Sequence, residues 1–320
     1  MRILNHSLVC LLCLTGPALA ETVYVSNEQD NTVSVIDGES LKTTGTIKVG
    51  RRPRGIALSH DGTKLYVAVG DDDRIDVVDL KSKHVVGTIP SGPDPEFFAV
   101  HPDGQRLFVA NEDNNLASVV DLSRHAIVQE IEVGVEPEGV GVSPDGRLAA
   151  VTSETTSMVH VIDAASSELI DNVLVDTRPR MVLFSPDSRQ LWVSSELRGT
   201  VSVFDAQTRE PITKIGFEVP GVPRELVQAV GLQLTPDGSR AYVALGPSNR
   251  VAEVDARTFA VLRTYLVGQR VWHIALSPDG KRLYTANGTS NDVSVIDLED
   301  RRVVKSIGVG RSPWGVVVAP

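Results

Sequence analysis

An aspartate rhythm with a 42-residue period runs through almost the whole chain. Turn aspartates Asp61, Asp103, Asp145, Asp187, Asp237 and Asp279 sit in Ser-Pro-Asp-Gly or a variant of it. Between them Asp37, Asp79, Asp121, Asp163, Asp205, Asp255 and Asp297 each end a Val-rich run. From a turn aspartate to the next run-ending one is always 18 residues, and the return is 24 except from Asp205 to Asp237, where it is 32. A period near forty, cut into short β-like runs, is the signature of a propeller blade.

One unit, 137–175, shows how. Gly139 to Ser143 forms a short run turned by Pro144-Asp145-Gly146, and Leu148 to Thr152 follows. Val159 to Ile162 ends at Asp163, and a fourth run covers 169–175. Pro presets φ at the turn, Asp bonds nearby backbone and Gly accepts positive φ, so the recurring aspartates read as scaffold. The first strand-like run, Val23 to Asn27, matches a second strand, and the last, Trp314 to Ala319, matches a first strand. Pairing the C-terminal strand with the N-terminal three completes a seventh blade and removes free edges. The expectation is an all-β, seven-bladed β-propeller of four-stranded antiparallel blades, one domain over 21–320.

Residues 1–20 read as a signal peptide. Arg2 is a short basic region, Leu8 to Leu14 an apolar core and Ala18-Leu19-Ala20 a cleavage site, so export with cleavage after Ala20 and a periplasmic location are expected. The apolar run is too short to span a bilayer. Cys10 and Cys13 both fall in this leader, so the mature chain is expected to lack thiol chemistry. Loss of Arg2 leaves 30 basic against 41 acidic residues, net −11, which argues against nucleic acid or an anionic membrane as partner.

Leu65-Tyr66-Val67-Ala68, Phe108-Val109-Ala110-Asn111 and Leu283 to Asn287, with the Val-x-Val-Ile-Asp runs and Val-Gly-x-x-Pro-x-Gly stretches that follow such segments, resemble YVTN β-propeller repeats over essentially the whole mature chain. The leader, length and single enlarged repeat are most similar to exported propellers associated with pyrroloquinoline quinone-dependent alcohol catabolism. That resemblance implies a non-enzymatic binding or assembly accessory, with a periplasmic quinoprotein dehydrogenase or its electron acceptor as partner. It brings no catalytic set, and no cofactor or resident metal is expected.

Departures from the rhythm carry the functional information. The position just before each first strand reads Arg54, Glu96, Glu138, Arg180, Val230, Trp272 and, at the closing repeat, Trp314, and two residues earlier stand Arg52, Asp94, Glu136, Arg178 and Arg270. A scaffold position would repeat one residue type. This one reads either as a ring of compensating surface charges or as a channel mouth that binds an anionic ligand or partner through arginines and aromatic anchors. His273, beside Trp272, is the histidine expected to face that mouth. The eight extra residues fall in 217–230, where Pro223 to Gln228 suggests one helical turn carrying Arg224, and are expected to form a lid or docking element dispensable for folding. Glu28, Glu112, Glu154 and Glu196 recur just after second strands and read as solvated loop acids, with calcium the rival reading.

The expected ligand- or partner-binding set is therefore Arg52, Arg54, Glu96, Glu138, Arg178, Arg180, Arg224, Trp272, His273 and Trp314, in a chain expected to be monomeric. Against the accessory reading stands a metal-assisted lactonase or hydrolase using mouth carboxylates, for which Glu96, Glu138 and Asn111 are the candidates. A third reading is a surface adhesin.

Overall fold

The computed structural model describes residues 21–320; the expected leader, with Cys10 and Cys13, lies outside the described residues. Seven four-stranded antiparallel sheets follow one another around a ring. Numbered from the first unbroken one, the blades span 53–90, 95–132, 137–174, 179–216, 232–266 and 271–308, and the seventh joins 313–319 to 22–48. In that closing sheet Thr22 to Val25 pair with Ala319 to Val316 on one side and with Asp37 to Ser34 on the other, so the ring closes as the repeat count requires. The helical elements among the described residues are three short 3₁₀ turns, Gly70–Asp72, Glu112–Asn114 and Arg224–Leu226. No described helix is long and apolar enough to cross a membrane.

Alternation along each strand puts Val, Ile, Leu and Ala on both faces of the inner strands, and these meet between blades. The cluster between blades four and five contains Trp192, Val203, Leu232 and Val243, all buried. The aspartates do scaffold work at the opposite ends of the strands. Asp61 accepts from Ser59 Oγ (2.6 Å) and the Thr63 amide (3.0 Å), and Asp79 accepts from the Ser82 amide (2.7 Å).

Three devices aim residues at the channel. First, the register between first and second strands slips at Pro53/Ile56, Pro95/Phe98, Pro137/Val140, Pro179/Val182 and Val271/Ile274. The residues inside each slip are the rim residue and its successor, such as Glu96-Phe97 and Trp272-His273. A β-bulge of this kind re-aims a side chain that regular pleating would turn away. Second, hydroxyls on second strands hold the bulges. Thr152 Oγ1 accepts from the Gly139 amide (2.8 Å) and donates to the Arg180 carbonyl of the next blade (3.0 Å), and Ser194 and Ser26 make the matching bonds. A side chain at Gly139 would collide with that same Arg180 carbonyl.

Third, the residue two before six of the seven rim positions is left-handed: Arg52, Asp94, Glu136, Arg178, Arg270 and Ser312 have φ between 48° and 61°. Non-glycine residues pay for that conformation, and compensation comes from the preceding blade. There Asn31, Asp73, Asn115, Asn249 and Asn291, left-handed themselves, accept from the amides of Arg52, Asp94, Glu136, Arg270 and Ser312 at 2.8–3.2 Å. The register is always 21 residues. At the matching position of blade four stands Gly199, φ +59°, and a side chain there would run into the Val227 carbonyl of the extra loop.

That loop is not a free lid. Phe217, Val219, Val227 and Ala229 are buried in the cluster between blades four and five, and the first strand of blade five shrinks to Leu232–Leu234. The expected helical turn is present at Arg224–Leu226. Its dispensability is not: the loop fills the wedge left by the short strand with apolar side chains, so folding draws on it.

Candidate functional site: the charged channel mouth

Each left-handed rim-loop residue offers its carbonyl to the first amide after its own blade's second strand. The pairs include Ser312 with Glu28 (3.0 Å), Asp94 with Glu112 (2.9 Å), Glu136 with Glu154 (2.9 Å) and Arg178 with Glu196 (2.8 Å). Four glutamates that read from sequence as solvated loop acids are thereby carried to the mouth. Glu154 and Glu196 are buried there, each between guanidiniums. Their recurrence one residue after the second strand was the available signal.

The arginines and acids interlock. Arg54 pairs with Glu96 and, at 3.0 Å, with Glu28. Arg52 pairs with Asp94 and lies 3.4 Å from Glu96. Across the funnel Arg180 pairs with Glu154 and reaches Glu138 at 3.0 Å. Arg178 bridges Glu154 (2.7 Å) and Glu196 (3.3 Å), and Arg270 reaches Glu196 at 3.0 Å. Eight carboxyls (Glu28, Asp71, Asp94, Glu96, Glu112, Glu138, Glu154, Glu196) thus face five guanidiniums (Arg52, Arg54, Arg178, Arg180, Arg270).

Two of the acids are pushed toward their protonated form. Burial raises Glu112, and its hydrogen bond with Glu96 and the charges of Glu96 and Glu138 add to this, pushing it up to about 8. Burial likewise raises Glu138 to about 7, with Arg180 opposing. Burial would also raise Glu96, which is fully enclosed, but Arg54, the Glu112 bond and Arg52 outweigh it and hold Glu96 down. Glu96 and Glu112 therefore act as one acid pair with a single proton between them. Asp94 completes a group of three carboxyls whose oxygens lie within 4.8 Å of one another.

Aromatic rings form the floor. His273 stacks on Phe97 at 5.5 Å and packs tilted against Trp314 at 4.1 Å, and Arg54 lies over Trp314 at 5.8 Å. Burial and the Arg180 charge hold His273 down at about 3, so it is neutral. Trp272 lies under Arg270 (4.2 Å) and Arg180 (5.4 Å).

Of the expected set, Arg52, Arg54, Glu96, Glu138, Arg178, Arg180, Trp272, His273 and Trp314 are brought together. Arg224 is not. It is exposed and lines a groove with Arg198, Phe217 and Val261, away from the acid network, because the buried valines flanking its turn hold the loop outward. The loop reaches the mouth instead through Gln228, whose Oε1 accepts from Arg270 at 3.3 Å. Asn111 is scaffold: it donates to Ser118 (2.7 Å) within its own sheet.

Two family models match parts of the chain, Cytochrome D1 heme domain over residues 71–180 and Lactonase, 7-bladed beta-propeller, over 172–302. No curated protein matches it. Among solved structures, hydrazine synthase of Kuenenia stuttgartiensis is 24% identical with a TM-score of 0.79, over 86% of this chain and 92% of that one. The periplasmic gluconolactonase of Pseudomonas aeruginosa is 20% identical with a TM-score of 0.78, over 94% and 99%. A putative 6-phosphogluconolactonase of Bacteroides uniformis is 17% identical with a TM-score of 0.77, over 93% and 99%. At these identities the structures share the fold.

The lactonase match overturns the expected non-enzymatic accessory of quinoprotein alcohol oxidation and favours the rival hydrolase. The cytochrome match over 71–180 raises haem, and the residues of the mouth do not fit it. His273 is buried with rings packed against it, and the funnel above is occupied by paired guanidiniums and carboxyls rather than by an apolar slot.

Proposed function

We propose that this chain hydrolyses a small lactone at the channel mouth. The observation that carries the reading is the grouping of the Asp94, Glu96 and Glu112 carboxyls within 4.8 Å of one another beside Arg52 and Arg54; the lactonase match over 172–302 supports it. Glu112 is half-buried, so substrate can meet it, whereas Glu96 and Glu138 lie beneath. A group near 8 is poised for acid–base work close to neutrality.

In the ionised fraction Glu112 takes a proton from water as the water oxygen attacks the lactone carbonyl. The guanidiniums of Arg52 and Arg54 stabilise the negative charge that gathers on the carbonyl oxygen. The ring C–O bond then breaks, and Glu112 returns its proton to the departing alkoxide, leaving a hydroxy acid. Water supplies both the new C–O bond and the proton count, and Glu112 ends as it began. Glu96 acts beneath it by holding the pair's proton near Glu112.

Asp94, Glu96 and Glu112 are also the group that would hold a divalent cation, which would polarise the carbonyl. Arg52 and Arg54 already pair with two of them, which favours the proton over the metal. The test is turnover of δ-gluconolactone above its spontaneous rate, with and without chelator. The expected result is kcat/KM rising with pH to a plateau above about 8, unchanged by chelator and abolished by Glu112→Gln. Turnover retained by that variant would sink the assignment. We also propose that the chain works after export, which fractionation of the producing cell checks.

A further inference from the structure

The two halves of the mouth differ in charge, and the extra loop lies within the arginine-rich one. On the side of blades four to six, Glu196 is approached by three guanidiniums: Arg270 at 3.0 Å, Arg178 at 3.3 Å and Arg180 at 3.6 Å. Glu154 takes Arg178 and Arg180 again, and Arg180 also reaches Glu138, so three guanidiniums gather around three buried carboxyls there. Arg180 Nε and Glu196 Oε2 are enclosed without a hydrogen-bond partner.

Arg178 and Arg270 are the most open of the five guanidiniums, 45% and 29% exposed. They come from blades four and six. The blade between them has no arginine at the matching position; it offers Val230 and, through its eight extra residues, Gln228. Gln228 Oε1 accepts from Arg270 Nη1 while Glu196 accepts from Nη2, and the guanidinium plane lies over Trp272. Three contacts therefore fix Arg270 in one pose, and Glu196 joins it to Arg178.

We propose that Arg178 and Arg270 form a two-armed clamp for an oxyanion substituent of the substrate, and that the extra loop sets the clamp by positioning Arg270 through Gln228. The proposal rests on the lactone-hydrolase reading for what the rest of the ligand is. The clamp places a phosphate or carboxylate group on the cationic side, above Trp272, with the ester turned toward Glu112 on the acidic side. Gln228 is a positioning residue: it touches Arg270 rather than substrate. An amide suits this place because a neutral acceptor orients the guanidinium without cancelling its charge.

The test is titration of the full chain with inorganic phosphate and, separately, malonate at low ionic strength, read by tryptophan fluorescence and by calorimetry. Saturable binding is expected, and Trp272→Phe removes most of the fluorescence change while calorimetric binding persists. Gln228→Leu weakens binding about tenfold with the melting temperature held. Arg270→Lys, which keeps the charge but not the planar fork, weakens it at least as much. Tighter phosphate identifies a phosphate ester and tighter malonate a carboxylate, and either supports the clamp. Absence of saturable binding, or binding indifferent to both variants, overturns it. Anion binding without lactone turnover would refute the hydrolase and leave the clamp standing; turnover indifferent to the clamp variants would do the reverse.

Discussion

Two glycines of the same backbone class measure how firmly the extra loop is held. Gly62 (φ +67°) and Gly199 (φ +59°) are both left-handed, but a Cβ at Gly62 meets open space while one at Gly199 meets the Val227 carbonyl. Gly62→Ala therefore costs the conformational penalty alone, about 1 kcal/mol. Gly199→Ala adds displacement of the loop. If the loop retreats far enough to wet Val219 and Val227, each valine contributes about 1.5 kcal/mol more, for about 4 kcal/mol in all. An unfolding entropy of about 2.1 cal/mol/K per residue gives roughly 0.6 kcal/mol/K for 300 residues, so the expected melting shifts are about 2 °C and about 6 °C. Scanning calorimetry on both variants reads the difference. The displaced segment carries Gln228, so Gly199→Ala also weakens phosphate binding while Gly62→Ala leaves it intact. Equal melting shifts, or a Gly199→Ala protein that binds phosphate as the wild type does, would show that the loop yields freely and the reasoning is wrong.

Three more outcomes follow from the same structure. Glu112 keeps its proton in the folded chain up to about 8 but loses it near 4.5 when unfolded, so its contribution to stability is present at low pH and lost as pH rises through 8. Glu112→Gln should therefore match the wild-type melting temperature at pH 4.5 and exceed it at pH 9; a uniform offset would refute the shared proton. His160 has the opposite sign. Burial lowers it, its Nε2 accepts from the Gly134 amide at 2.8 Å, and stability present above about 6.5 is lost as pH falls. His160→Ser, which installs the residue found at positions 34 and 294 in other blades, should flatten the fall in unfolding free energy as pH drops below about 6.5, and an unchanged slope would count against it. Truncation after Gly310 removes the strand that closes the seventh blade and should abolish cooperative melting; an unaltered transition would sink ring closure as the source of stability.

The blade count, the strand order and the closing sheet were all legible, because a turn of Pro, Asp and Gly announces its conformation locally and the spacing then counts the blades. The rim was legible as the one aligned position that varied, from Arg54 round to Trp314. Its partners were not recognised, although Glu154 and Glu196 recur in register. A glutamate beside a turn looks solvated until the fold shows that two loops of one blade meet at the channel, where burial turns a polar pattern into an ion network. Phe97 reaches the floor only because a bulge re-aims it, and a bulge leaves no mark in the alternation of so short a strand. Length alone suggested that residues 217–230 were an accessory, whereas their alternate Phe217, Val219, Val227 and Ala229 belong to the core.

The closing sheet also sets a schedule for synthesis. Residues 22–48 are among the first described residues to emerge, yet their inner edge has no hydrogen-bonding neighbour until 313–319 follow about 290 residues later. At about 5–20 residues per second that edge waits roughly 15–60 s, during which the nascent chain offers an unsatisfied strand to any other that passes. Folding of this protein is thus a race in which the last seven residues of strand protect the first.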